Sequence, residues 1–232
     1  MSEESEDIRV RSDEVRLSCV FIPDAESRAE VLTLFAFLET LRDIAERVSD
    51  ALMGEIRLRW WYEAMDEIEA GGPVRYHPLT EALSALIRRH GFAVSDFHDL
   101  IEGQMPLLDK GPLSIKNALS VVDRGEGILI RLAARIVSAH DRPPDMPPAD
   151  MTAIARLIGM AQIKATRGLS DAGDTELAHL RREAVKSVRG LPASLMPLAL
   201  PAVVAVDHWQ GRTVGPLRLR ARLFWAYVSG KI

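Results

Sequence analysis

The 232 residues carry 29 lysines and arginines against 33 aspartates and glutamates, a net charge of -4, with 47% hydrophobic side chains. That is the profile of an ordinary globular domain, and it excludes a disordered chain or one that coats nucleic acid. Cys19 is the only cysteine, which excludes an intramolecular disulfide and a thiolate metal cluster and fits a reducing compartment. The opening MSEESEDIRVRSDEVR is acidic, with neither the apolar core nor the cationic lead of a targeting peptide, so cytoplasmic residence is expected. Charge is unevenly placed: beyond Asp207 stand Arg212, Arg218, Arg220, Arg222 and Lys231 and no acid.

Apolar residues recur at three and four, and the breaks fall at proline and glycine, so the spacing predicts an all-α chain. Residues 1–15 read as a flexible acidic N-terminus and 16–232 as one helical domain. Pro23 and Asp24 stop one segment and cap a helix to about Val48, burying Val31, Leu34, Phe35, Leu38 and Leu41. A second helix covers about Leu52 to Ala70 and ends at Gly71-Gly72-Pro73. Pro78 opens a third that ends at His90-Gly91, and Ser95 caps a fourth that ends near Lys110-Gly111-Pro112. From Ser114 to about Ala139 a helical region is broken by Gly125-Glu126-Gly127, each glycine weakening a helix by about 1 kcal/mol. Arg142 to Pro148 reads as a linker, followed by helices at about Ala149–Leu169, Thr175–Arg189, Ala193–Trp209 and Pro216–Ser229.

The uncharged run Leu191 to Val206 is sixteen residues long, short of the roughly 20 needed to span a bilayer. Pro192, Pro197 and Pro201 interrupt it, so a buried core helix is expected. Behind it, Trp209, Phe224, Trp225 and Tyr227 lie among arginines. Two readings stand: a helix docking its aromatics into the core, or one lying on an anionic membrane surface.

Glu39, Asp43, Glu46 and Asp50 follow at spacings of four, three and four, so on a helix of about 3.6 residues per turn they share a face. Paired carboxylates at that spacing can hold Mg²⁺, with substrate phosphates completing its shell. Arg42 and Arg47 beside them equally suit ion pairs on a wet face. In Gly54-Glu55-Ile56-Arg57-Leu58-Arg59-Trp60-Trp61, one tryptophan should face the core while the other sits at its margin near an arginine. The six histidines have no metal-ligand spacing; His98-Asp99 reads as a structural pair, and Ser18-Cys19 has no nucleophile-elbow glycines. No glycine-rich phosphate loop is present, and nucleic acid is not an expected partner.

Ile22-Pro23, Ser27-Arg28-Ala29-Glu30 through Phe37, then Glu39, Val48-Ser49-Asp50, Gly54 to Trp61 and His77-Pro78-Leu79 together resemble the squalene/phytoene synthase family in order and spacing. The resemblance is most specific to a divergent branch related to a mitochondrial complex I assembly factor. It implies an isoprenoid synthase-like helical bundle around an apolar pocket. In active relatives two DxxxD motifs on facing helices bind Mg²⁺ and diphosphate while two prenyl diphosphates are joined. Metals and a water-poor cavity serve the leaving group and the carbocation.

In the Phe35-Ala36-Phe37 register the first aspartate of the first motif falls on Arg42, the second acid on Asp43 and the last on Glu46. A diphosphate-binding arginine falls on Glu39, which turns attraction into repulsion. The second motif, after a helix resembling Gly159 to Arg167, puts its aspartates on Leu169 and Gly173, with Asp171 and Asp174 close by. A segment that follows in relatives is missing, so the bundle is expected to be shortened. Asp43 and Glu46, with Glu39 and Asp50, are thus candidate remnants of a metal site, and no catalytic residue is assigned.

The resemblance implies a degenerate family member that binds an isoprenoid lipid or a prenyl diphosphate, or that has a protein partner in respiratory complex I assembly. It would sit peripherally at the inner membrane face through Arg218 to Tyr227. The competing expectations are an active prenyltransferase with Mg²⁺ as its cofactor and a ligand-free helical interaction module.

Overall fold

A computed structural model describes residues 9–139, 150–171 and 173–232. Its helices open where a side chain can take up the free amides of a first turn. Ser12 accepts from Val15 N at 3.2 Å at the head of α1 (Asp13–Cys19), and Asp24 from Ser27 N at 2.6 Å at the head of α2 (Ala25–Arg47). Asp50 accepts from Leu52 N at 2.9 Å and caps α3 (Ala51–Glu69). For α4 (Pro78–His90), His77 Nδ1 accepts from Leu79 N at 3.1 Å, Pro78 presets the first turn, and Gly91 at φ 58° closes the last.

The next helix departs from expectation. α5 (Val94–Glu102) begins at Ala93 with no side-chain cap, because burying Phe92 and Val94 pulls its start ahead of Ser95. It ends at Gly103, where a Cβ would meet Arg124 Cβ at 2.6 Å. Pro106 then sets a separate 3₁₀ turn, Met105–Leu108. Ser114 caps α6 (Ile115–Val122), and the glycine-flanked break expected at 125–127 is a single wide π turn, Asp123–Gly127, leading into α7 (Ile128–Ser138). The linker read at Arg142 to Pro148 lies outside the described residues.

After α8 (Thr152–Thr166) and α9 (Asp174–Val188), the uncharged run is buried as expected but is not one helix. Pro197 and Pro201 supply no amide to continue a ladder, so 193–209 divides into a 3₁₀ turn, α10 (Met196–Ala199), a second 3₁₀ turn and α11 (Ala205–Trp209). α12 (Pro216–Ser229) closes the described chain.

α2 runs through the centre, packed by α3, α4, α7 and the Met105–Leu108 turn; α8 packs against α6, α9, α11 and the π turn. Phe37 on α2 is fully buried, with the rings of Trp61 and Phe97 at 5.5 and 6.1 Å. As the spacing predicts, Trp61 is buried while Trp60 lies at the margin under the Arg75 guanidinium, 5.1 Å from its ring. Among the described residues β structure is limited to one isolated bridge, Leu113 with Leu169, and no helix is long and apolar enough to cross a membrane.

Of the acidic N-terminus read at 1–15, residues 1–8 lie outside the described residues, while in 9–15 Val10 and Val15 are buried, and α1 packs on α2, α10 and α12. At the other end, α12 buries Leu219, Leu223 and Ala226, and Tyr227 stacks on Phe21 at 4.5 Å. Phe224 and Trp225 face outward, so of the C-terminal aromatics only Trp209 is fully docked in the core. Asp207 ties α11 to α12, accepting from Arg222 Nη1 at 2.6 Å and lying 3.2 Å from Arg212 Nη2. Burial pushes the Asp207 carboxyl up, but the Arg222 hydrogen bond and the surrounding arginines outweigh it and hold its pKa below the usual value.

Candidate functional site

α2 turns its acid stripe toward α8, and between the two lies an open cavity of about 480 Å³. Glu39, Arg42, Asp43 and Glu46 line it from α2, Gln162 and Thr166 from α8, and Arg11 from the segment ahead of α1. Arg42 forms its floor. Nη1 donates to Glu126 Oε1 at 2.5 Å and Nη2 to Glu126 Oε2 at 2.7 Å, a two-pronged pair, while Nη1 also donates to Gln162 Oε1 at 3.1 Å and Nε to Gln104 Oε1 at 3.4 Å. Gln104 is fully buried and fixed in turn by donating to Leu100 O at 3.1 Å.

The local sequence makes room for this pair. The π turn carries Glu126 inward to 2% exposure. A Cβ on Gly159 of α8 would stand 2.7 Å from Glu126 Oε2, and one on Gly125 would stand 3.4 Å from Arg42 Nη2. Gly159 thus clears the volume that the buried carboxylate fills, and a Cβ at Gly125 would only touch the half-buried guanidinium.

The acids of the stripe do not act as one group. Glu39 accepts from the Arg11 and Ser12 amides at 2.8 and 3.2 Å, so it anchors the start of α1. Asp43 takes the Arg11 guanidinium and lies 3.4 Å from Arg47. Hydrogen bonding to Asp43 raises the pKa of Arg11, against the lowering effect of burial. Glu46 is exposed at the cavity edge; Asp50 is the α3 cap and does not line the cavity. The carbonyl end of α2 is closed by Lys110 Nζ, which donates to Ala45 O at 2.5 Å and Glu46 O at 3.2 Å, and by Arg167 on Ala45 O at 3.5 Å.

The positions matching a second acid motif lie elsewhere. α8 ends at Thr166, Leu169 pairs with Leu113, and Gly173 precedes α9. Asp171 accepts from Ile115 N at 2.8 Å, at the start of α6. A Mg²⁺ site needs several carboxylate oxygens converging and free. Here a cation sits in the register of the first ligand with its own carboxylate, and Glu39 and Asp43 are bonded to Arg11, so the residues present do not fit that ion. Among the described residues no group of three or more histidine, cysteine, aspartate or glutamate side chains is placed to hold a metal.

The His98-Asp99 pairing does not form. The His98 ring stacks on Tyr62 at 3.9 Å with Nε2 3.1 Å from Asp66, whereas Asp99 pairs with Arg124 at 2.7 Å. Burial pushes the Cys19 thiol up to about 12, which removes it as a nucleophile. Sequence reasoning missed Glu126 and Gln104. The signal for Glu126 was an acid between two glycines in an otherwise apolar helical stretch, needing a cation once Arg42 had displaced an acid.

Residues 8–165 match the squalene/phytoene synthase family. The chain is 28% identical over 139 residues to a bovine (Bos taurus) protein named NADH dehydrogenase (ubiquinone) complex I, assembly factor 6, and 26% identical over 139 residues to its human (Homo sapiens) counterpart. Each match covers 60% of this chain and 41% of the relative, so the chain aligns with about two fifths of the proteins it resembles. An all-α isoprenoid synthase-like bundle and a family match over more than half the sequence agree: this chain belongs to the squalene/phytoene synthase family.

Proposed function

We propose that this protein is a non-catalytic family member that serves respiratory complex I assembly, seated peripherally at a membrane surface. The observation that carries the reading is the Arg42–Glu126 pair, which stands where an active relative would gather metal ligands and is satisfied without a metal. Loss of prenyl transfer follows from electrostatics: a diphosphate needs several concentrated positive charges in that cavity. Of the arginines at its wall, Arg11 is paired with Asp43, Arg42 with Glu126, and Arg167 is held on backbone carbonyls, while the carboxylates of Glu39 and Glu46 oppose an anion. The likeness to assembly factor 6 supplies the role. The open form of the cavity and the charged side chains around it favour that role over handling an isoprenoid lipid, which needs an apolar enclosure.

Two measurements test it. The purified chain with farnesyl diphosphate and Mg²⁺ should form no condensed product, and magnesium should not strengthen diphosphate binding. Turnover that is lost in Asp43→Asn and Glu46→Gln would overturn the reading. In the native host, deleting the gene should lower assembled complex I on native gels, and the Asp43→Asn/Glu46→Gln double variant should restore it as well as the unaltered gene. A folded double variant that fails to restore assembly would point to a working acid site.

A further inference from the structure

We propose that the groove between α9 and the end of α12 docks this chain on a bilayer surface rich in anionic phospholipid, phosphates against α9 and the Phe224–Trp225 edge in the interfacial layer. It rests on the peripheral seating in the reading above and is independent of whether catalysis is lost.

The outward face of α12 is apolar. Leu217, Phe224, Trp225 and Val228 are 81%, 59%, 70% and 62% exposed. At about 100° per residue they share one stripe, opposite the buried Leu219, Leu223 and Ala226. Arg218 and Arg220 stand at its two borders, both exposed. A helix of 14 residues cannot span a bilayer, but a stripe with this order, cation, apolar and aromatic, cation, suits one lying in the plane of the headgroups.

α9 extends the charge. A groove of about 930 Å³ is lined by Arg181, Arg182 and Lys186 from α9, Arg189 from its C-cap and Lys231 from beyond α12, over a floor that includes Val185 and Ile232. Ser229, whose buried hydroxyl has no hydrogen-bond partner, also lines it. None of these five cations, nor Arg220, has an acid partner among the described residues; Arg212 and Arg222 are held by Asp207, whose charge Arg218 also feels. Glu176 and Glu183 of α9 do not line the groove. Unneutralised cations beside exposed tryptophan and phenylalanine complement an anionic bilayer. Leu217 and Val228 in the same stripe argue against single-stranded nucleic acid, which is held by aromatic stacking.

The full chain should sediment with vesicles of phosphatidylcholine containing roughly one third phosphatidylglycerol and not with phosphatidylcholine alone, with a salt-sensitive affinity. Its tryptophan emission should shift to the blue on binding, and Trp225→Phe should remove most of that shift. Arg181→Ser, Arg182→Ser and Lys186→Ser together should lower partitioning about 100-fold, as should Phe224→Ser with Trp225→Ser, whereas Arg57→Ser on α3 should leave it unchanged. All these positions are exposed or at the margin, and circular dichroism checks that each variant folds. Absence of sedimentation, equal binding to neutral vesicles, or saturable binding of inorganic pyrophosphate without vesicle binding would overturn the proposal. A triple α9 variant that binds like the parent while the Phe224/Trp225 variant does not would also overturn the groove, leaving seating through α12 alone.

Discussion

Arg42 and the arginines of α9 occupy opposite electrostatic situations. Arg42 is enclosed by Glu126, Gln104 and Gln162, all contributed by the fold, while Arg181, Arg182 and Arg189 point into an open groove with no acid partner among the described residues. A charge whose counter-ion is built in holds helices together and has little left for a ligand. A charge without one stays solvated and is free to meet an outside partner. The region that resembles an active site is therefore the more fully paired of the two, and the surface that a catalytic reading passes over keeps its charges available.

The sharpest way to break this contrast is to open the closed pair. Glu126→Ala should destabilise the protein by about 3–5 kcal/mol, because it strands a largely buried guanidinium. Changing Arg42→Met and Glu126→Leu together should cost far less than either single change, since an apolar pair removes both desolvation penalties. Urea unfolding of the parent, Arg42→Met, Glu126→Leu and the double variant measures this, and additive costs would refute the coupling.

Next comes Asp207, whose bond to Arg222 holds α12 in place. Asp207→Asn should cost about 1.5–3 kcal/mol in the same assay, as for hydrogen bonds to charged groups. Its folded-state pKa lies below the ordinary value, so its contribution is fully present above that value and is lost as pH falls through the lower, folded-state one. A pH series should show the parent losing its advantage over Asp207→Asn only in that acid range. A gap that persists in stronger acid would contradict the assignment.

Gly159→Ala tests the clearance around Glu126 and should cost about 1–3 kcal/mol by overpacking, visible as a lowered melting temperature. The smallest effect is expected for Arg11→Ala. That side chain is 53% exposed and its pairing with Asp43 is worth at most about 1 kcal/mol. A larger loss would mean that the segment before α1 is a structural clasp on α2.

What could be read in the sequence was what is local. Asp24, Pro78 and Gly91 act within a turn of their own position, and each starts or stops a helix where expected, whereas Asp50, read as part of the acid stripe, is a cap instead. Ser95 failed as a cap because tertiary burial of Val94 outweighed a local preference, and 193–209 broke up because prolines inside an apolar run still deny amides to a ladder. The register that put Arg42 among the acids was legible. Its partner was not: Glu126 lies 84 residues away, and nothing nearby in sequence says which way a wide turn will aim it. The α9 groove was hidden because its cations alternate with Glu176 and Glu183 along the chain, and they form one surface only when α12 is laid beside them.

The clearance supplied by Gly159 acts as a ratchet. Substituting Arg42→Asp, the single change that would bring back an acid at that register, would strip the buried Glu126 of its cation and add a second carboxylate to the same cavity floor. One of them would have to retain its proton. Gly159 lets α8 lie close against Glu126 and keeps that carboxylate buried, so the intermediate would be less stable than either end point. Rebuilding an acid-lined site would require Glu126 to change in the same step, a barrier made of side-chain volume and charge rather than of distance in sequence.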